Sequence, residues 1–421
     1  MSEIMIQGGR RLEGELHIAG SKNAILPIIA ATLLCRDTVY LYNCPKISDV
    51  VLMIQILRQL GCRVIWDDKV LMIDTSTLNS SDVPAHLVSQ MRSSIILLGA
   101  IIGRCKEARI GMPGGCQLGK RPIDMHLDGL RKMQVEITEY EDFIQCMTLN
   151  LQGAQIHLNM PSVGATENIM LAAACAQGTT TIHNAAKEAE IVDLQDFLNA
   201  CGANITGAGT KKIIIHGVSE LKGITYRIIP DRIVAGTYLV AGAITRGNII
   251  LNDVYNRHMQ ATINKLRAIG CHINEEQNKV ILSVAKPLKG IGLKTEVYPG
   301  FATDMQSQFL ALLTTCNSIS HVKENIFDAR FKTAKELCKL GAHIIVDERK
   351  QIATVHPTPH LIGTSVEAMD LRGGAALVLA GLVAKGCTNV KNIYHIQRGY
   401  EDIVRDLSKL GANIWYTEER K

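Results

Sequence analysis

Apolar residues along this chain fall into two kinds of run, and both recur at a fixed distance. The first is a polar start followed by a stretch of small apolar residues: SKNAILPIIAATLL, MRSSIILLGAII, SVGATENIMLAAACA, DRIVAGTYLVAGAI, TDMQSQFLALLT and LRGGAALVLAGLVA. Such a pattern is apolar nearly all round a helix, so it predicts a helix buried on every side. Aligned on Lys22, Arg92, Val163, Arg232, Asp304 and Arg372, the copies stand 70, 71, 69, 72 and 68 residues apart. The second run ends a helix and begins a strand: LRQLGCRVI, FLNACGANI, LRAIGCHIN, LCKLGAHII and LSKLGANIW. Gly61, Gly202, Gly270, Gly341 and Gly411 sit where a left-handed C-cap closes the helix, and in a sixth copy, LRKMQVEIT, Gln134 takes that place.

Six copies in phase predict a repeat architecture. Short β-branched strands and a second, more amphipathic helix complete each copy, so the unit reads as α/β with helices inside and sheets outside. Three units per domain give two similar lobes. The boundary falls near Arg227-Ile-Ile-Pro-Asp231, after the third copy. Residues 1–21 precede the first full copy and are expected to pair with the last, so that the chain's ends meet.

Length agrees with this division, since 421 residues suit two domains of roughly 200 each. Aromatic residues are only 4%, so the cores must be built from Ile, Leu, Val and Ala. MSEIMIQGGRRLEGEL has no long apolar run and no cleavage pattern, and charges break every later apolar segment before it could span a membrane. The expected compartment is the cytoplasm. The twelve cysteines include no C-x-x-C, and most, such as Cys201, Cys271 and Cys338, occupy core-like positions of small hydrophobes in a reducing compartment. No H-E-x-x-H or Cys/His cluster supports a metal site. A net charge of +5, scattered and without stacking aromatics, argues against nucleic acid.

The repeat also sorts candidate chemistry from scaffold. Lys22-Asn23, Arg92, Ser162, Asp304 and Arg372 lie at the starts of the buried helices, while Cys116 to Arg121, Arg330 and Arg398 lie in the loop before the second helix. Helix N-termini offer free N–H groups and a positive dipole end, so cations added at that level make an anion site. Gly114-Gly-Cys-Gln-Leu-Gly-Lys120 nearly spells a phosphate-binding P-loop. Arg121 stands where that motif needs Ser or Thr for Mg²⁺, and Pro122 follows, so a mobile Gly-rich loop is the better reading. Beside Lys120 and Arg121, Cys116 feels a potential that favours its thiolate. On local sequence alone, a reactive thiol and an idle loop cysteine remain equally open.

Eight segments in order carry a resemblance along essentially the whole chain: GSKNAILP, MRSS, PGGCQLGKRPIDMH, PSVGATENIM, YPGFATDMQSQ, DARF, DLRGGAALVLAG and YHIQRGYE. The chain resembles the enolpyruvyl transferases, in particular the branch acting on UDP-N-acetylglucosamine in peptidoglycan synthesis. The implied fold is two inside-out α/β barrel domains of three repeated units each. The implied division is 22–229 against 1–21 plus 230–421, with the active site in the cleft between them. The implied reaction moves the enolpyruvyl group of phosphoenolpyruvate onto the sugar 3′-hydroxyl and releases phosphate, with no cofactor and no metal.

Position by position, the resemblance makes Cys116 the loop cysteine that donates a proton, forms a phosphoenolpyruvate adduct and is alkylated by fosfomycin. Asp304 becomes the candidate base, Lys22 and Arg398 bracket phosphoenolpyruvate, and Asn23 orients the reacting groups. Arg92, Arg121, Arg330 and Arg372 complete the charged site. Arg121, Pro122, Ile123, Asp124 and Met125, with Ser162, Val163 and Gly164, match contacts to uridine and diphosphate. Ile326 matches a backbone contact to the sugar nucleotide. Asp304 and Ser162 can each also be read as plain helix caps, and His126 as a structural histidine. Departures from the family pattern are Gln117 for Ala, Ala302 for Pro, Gly373 for Ala, and Met160-Pro161 where some members carry a Lys. Ala302 and Gly373 are expected to loosen the backbone slightly. The rivals are the shikimate-pathway sister enzyme, 5-enolpyruvylshikimate-3-phosphate synthase, which lacks the Pro-Gly-Gly-Cys loop and the Ser-Val-Gly-Ala-Thr turn, and a silent paralogue that binds UDP-sugar.

Overall fold

The computed structural model describes residues 2–67, 69–114 and 123–417. The six small-residue runs are helices: Lys22–Thr32 (α1), Leu97–Cys105 (α2), Val163–Ala173 (α3), Arg232–Ile244 (α4), Gln306–Leu313 (α5) and Leu371–Gly381 (α6). Every residue of α1 except Asn23 is buried, and every residue of α6 except Leu371. Their composition allows this, because small side chains let helices approach closely. A Cβ on Gly99 of α2 would stand 2.0 Å from the Asn168 carbonyl of α3. The second helices, Ser48–Gln59 and Lys332–Lys339 among them, keep a polar outer face.

Among the described residues the strands form six four-stranded sheets of one recurring plan. In the first repeat Thr225–Arg227 runs parallel to Thr38–Tyr42, which pairs antiparallel with Val70–Asp74, and that strand with Arg63–Asp67. Alternate positions on the inner strands are buried, so each sheet lays one face on the helices and turns the other to solvent.

The described residues of 20–229 form one compact unit, and those of 1–19 with 230–421 another. Each has its own core: one gathers Ala24 to Ile228, the other Ile4 to Ile18 with Ile233 to Ile414. The N-terminus is stitched into the second unit twice. Ile4–Gln7 lies antiparallel between Cys387–Lys391 and Asn413–Tyr416, and Glu13–His17 runs parallel to Asn248–Asn252 of the fourth repeat.

The C-cap glycines behave as their spacing predicts. Gly61, Gly202, Gly270, Gly341 and Gly411 have φ of 95, 108, 119, 89 and 93°, and Gln134 adopts the same left-handed region at 64°. A side chain there works against the Cβ–carbonyl clash that glycine avoids. One cysteine contradicts its core-like reading. Cys201 and Cys271 are buried, but Cys338 is exposed, because it falls on the outward face of the amphipathic helix Lys332–Lys339.

Candidate functional site

In the unit of residues 20–229, Lys22 is the first residue of α1 and is buried. Its ammonium is paired with the buried carboxylate of Asp49, which opens the helix Ser48–Gln59. Asp49 was not singled out from sequence, although an Asp in the first turn of a helix was a visible signal. Asn23 is half-buried beside Lys22. Arg92 begins a short 3-10 turn, Arg92–Ile96, which leads into α2. Its guanidinium lies 3.5 Å from the Pro113 carbonyl.

Ser162 caps α3, its hydroxyl accepting from the Ala165 N–H at 3.3 Å, so the capping reading of this residue holds. Val163 and Gly164 form the first turn of that helix, with Gly164 against the His126 ring: a Cβ there would meet Cε1 at 3.0 Å. Ile123 is buried and precedes the helix Asp124–Lys132, on which Asp124 is exposed and Met125 half-buried. His126, read as structural, is the link between these two segments. Asn168 accepts the Gly99 N–H at 2.6 Å and donates to the Ile95 carbonyl and, at 3.1 Å, to His126 Nδ1. That assigns the ring proton to Nε2. Burial, then the Arg92 charge, push the His126 pKa down to about 4, so the ring is neutral. Burial likewise holds the Glu167 carboxyl of α3 well above the usual range, and Glu190 and Glu188 add to the rise. Cys116, Arg121 and Pro122, together with Gln117, lie outside the described residues.

In the other unit, Asp304 sits in the short turn Thr303–Met305 before α5. Its carboxylate caps nothing. Oδ1 accepts from Arg330 Nη2 at 2.7 Å and Oδ2 from Arg372 Nη2 at 3.0 Å. Both arginines are almost fully buried, and Asp304 is partly exposed. Burial alone would raise the Asp304 pKa, but the charges and hydrogen bonds of Arg372 and Arg330 outweigh it and hold the carboxyl well below the usual range. Two side chains fix the backbone beneath. Arg330 Nε and Nη2 donate to the Thr303 carbonyl at 3.2 and 3.1 Å, and Gln308 Nε2 donates to the Asp304 carbonyl at 2.9 Å.

Arg372 is placed by Asp370, which caps α6 by accepting the Arg372 and Gly373 N–H groups at 2.9 Å each. Gly373 has a steric reason of its own at this turn. A Cβ there would stand 2.4 Å from the Thr333 hydroxyl, so the glycine answers a close approach. Ala302 holds a φ of −65°, the angle proline would fix. Arg398 ends the short helix Tyr394–Gln397, and Gly399 behind it packs against Leu371, next to Arg372. Ile326 is half-buried, and its N–H donates to Glu324 at 2.8 Å. An open cavity of about 500 Å³ in this unit, lined by Lys265, Lys294, Phe301 and Lys323 among others, contains none of these residues. Among the described residues no group of three or more His, Cys, Asp or Glu is gathered as a metal cage.

A family model described as EPSP synthase (3-phosphoshikimate 1-carboxyvinyltransferase) matches residues 6–407. The chain belongs to the EPSP synthase family. A relative from Caldanaerobacter subterraneus named UDP-N-acetylglucosamine 1-carboxyvinyltransferase 2 is 47% identical over 98% of this chain and 99% of its own. One from Thermotoga maritima, named UDP-N-acetylglucosamine 1-carboxyvinyltransferase, is 44% identical over the whole of both chains. Among solved structures, the enolpyruvyl transferase NikO from Streptomyces tendae superposes with a TM-score of 0.90 at 26% identity, covering 99% of each chain. EPSP synthase from Acinetobacter baumannii superposes at 0.78 and 18% identity over 99% of this chain and all of that one, which bears on the fold alone. The α/β repeat expected from the sixfold period and the enolpyruvyl transferase fold implied by the resemblance are therefore the family's own.

Proposed function

We propose that this chain transfers the enolpyruvyl group of phosphoenolpyruvate to the 3′-hydroxyl of UDP-N-acetylglucosamine and releases phosphate, the first committed step of peptidoglycan synthesis. One observation carries the choice of acceptor: relatives 42–47% identical over nearly the full chain bear that enzyme's name, whereas the EPSP synthase structure aligns at 18%. The reaction is an addition followed by an elimination. The methylene carbon of phosphoenolpyruvate takes a proton, the sugar oxygen attacks C2 and gives up its own proton, and a tetrahedral ketal forms. Loss of a methyl proton and of phosphate then restores the double bond.

The roles fall on residues of both units. Asp304 receives the hydroxyl proton, Cys116 supplies the proton to carbon and is the site of the phosphoenolpyruvate adduct and of fosfomycin alkylation, and Asn23 orients the reacting groups. Lys22, Arg92, Arg121, Arg330, Arg372 and Arg398 hold carboxylate and phosphate, which stabilises charge as it develops. Pro122 to Met125, Ser162 to Gly164 and Ile326 hold the sugar nucleotide. A carboxylate clamped by two guanidiniums is a weak base, and a base works best when its pKa lies near the working pH. An anionic substrate that draws Arg330 or Arg372 toward itself restores that basicity, so binding and activation are one event. Both substrates and the free thiols of the described cysteines suit the cytoplasm.

Phosphate release from phosphoenolpyruvate, with UDP-N-acetylglucosamine in one arm and shikimate 3-phosphate in the other, tests the reading. Release only with the sugar nucleotide is expected; no release with it would refute the proposal. Cys116→Asp keeps a proton donor, so it should turn over and escape fosfomycin.

A further inference from the structure

In four of the six repeats the central strand ends at Asn43, Asn184, Asp253 or Asn392, each left-handed with φ between 56 and 60°. Asn43 and Asn184 use their amides locally, donating to the carbonyls of Ile228 and Leu158. Two repeats break the pattern. In the second the position is Met112, which leads into the Cys116 loop. In the fifth it is Glu324, after the strand Ser320–Lys323. Glu324 is 2% exposed, although Glu is a residue that folding seldom buries.

The buried carboxylate is not idle. Oε1 accepts from the Thr295 hydroxyl at 2.8 Å and from the N–H groups of Ile326 and Phe327 at 2.8 and 3.2 Å. Oε2 accepts from the Thr303 hydroxyl at 3.1 Å. Three of these donors converge on Oε1 and the fourth reaches Oε2, so both oxygens are engaged. Thr295 extends the tie, since its hydroxyl accepts the Asn325 N–H and its carbonyl the Asn325 amide. Thr303 is the residue before Asp304, and Arg330 holds its carbonyl from the other side.

We infer that Glu324 is a positioning residue, whose carboxylate fastens the Thr303–Asp304 turn to the Ile326–Phe327 loop so that base and loop carbonyl meet the sugar nucleotide as one rigid piece. The inference rests on the functional reading above and adds a residue to it. Glu324 touches no reacting atom. It acts through Thr303 on Asp304 and through the Ile326 N–H on the direction of the Ile326 carbonyl. A misplacement of about 1 Å at such a point can cost about 10²-fold in rate.

Two variants separate positioning from mere stability. In Glu324→Gln one amide oxygen still accepts the two backbone N–H groups, and the amide nitrogen can donate to the Thr303 hydroxyl, which is free to accept. Glu324→Ala removes the tie altogether. Steady-state kinetics with each substrate varied, run beside thermal unfolding and the wild type, should show Glu324→Ala lowering kcat by about 10²-fold and raising KM for UDP-N-acetylglucosamine, with KM for phosphoenolpyruvate nearly unmoved. Glu324→Gln should recover most of that loss. A folded Glu324→Ala with wild-type kcat and KM, or a Glu324→Gln as poor as Ala, would overturn the inference. If Ala does not fold, Glu324→Asp is read in its place, since its shorter stem cannot reach both turn and loop. A wild type that releases no phosphate would instead refute the functional reading.

Discussion

The fourth and fifth repeats are neighbours in one unit and spend the same kinds of residue differently. In the fourth, Asp231 caps α4 by accepting the Ile233 and Val234 N–H groups, and Asp253 makes the left-handed turn after its strand. In the fifth, Ala302 stands at the start of the turn and caps nothing, Asp304 takes the slot of Arg232 and lies between two buried guanidiniums, and the turn residue has become Glu324, which ties the backbone instead. A repeat makes such a departure visible. Where one copy puts a carboxylate at a slot that its neighbours fill with arginine, the copy is the place to look for chemistry. The second repeat departs in the same sense, with Met112 in place of the turn residue and Gln134 in place of the glycine cap.

Breaking the fifth repeat's clamp should have the largest effect on folding. Arg330→Ala leaves Asp304 with one partner and a buried void, and is expected to cost about 3 kcal/mol of unfolding free energy, at the low end for a broken buried pair because Asp304 is partly exposed. Urea unfolding followed by Trp415, in the same unit, reads it; a loss under about 1 kcal/mol would mean the clamp does not hold this repeat.

The second repeat offers a pH test of similar size. His126 titrates near 4 when folded and near 6.5 when unfolded. Between those values the unfolded chain holds the extra proton, so stability is complete above about pH 6.5 and falls as pH drops toward 4, by about 3 kcal/mol. His126→Gln should flatten that part of the stability profile; an unchanged slope would assign the acid sensitivity elsewhere.

Smaller effects sharpen the contrast between plain and departing copies. Gly411→Ala places a side chain at φ 93° and should destabilise by about 1 kcal/mol, whereas Gln134→Gly, at φ 64°, should stabilise by about 1 kcal/mol or less. Melting temperatures of the pair test this, and movement in the same direction would contradict it. Smallest is Ala302→Pro, whose φ already suits the ring, with an expected gain of about 0.5 kcal/mol.

The sixfold fold was legible because repetition multiplies a weak local signal. One Gly after one helix says little, but five in phase locate every strand start. Asp304 and Arg372 were legible at equivalent helix starts, and Arg330 in the loop before a second helix. Their mutual pairing was not, because it joins elements far apart in sequence. Asp49, Asn168 and Glu324 were passed over for the same reason: each is a buried polar side chain whose meaning lies in its partners. The Gly373–Thr333 approach and the exposure of Cys338 likewise depend on which helix face meets the core, which composition alone does not fix.

In the proposed reaction Asp304, held between Arg330 and Arg372, is the base that takes the hydroxyl proton. Asp304→Asn preserves the side chain's shape and removes its basicity, so phosphate release in the presence of UDP-N-acetylglucosamine measures the claim directly. The account predicts a fall in kcat of about 10³-fold with binding of the sugar nucleotide retained. A folded Asp304→Asn that turns over within about tenfold of wild type would contradict it.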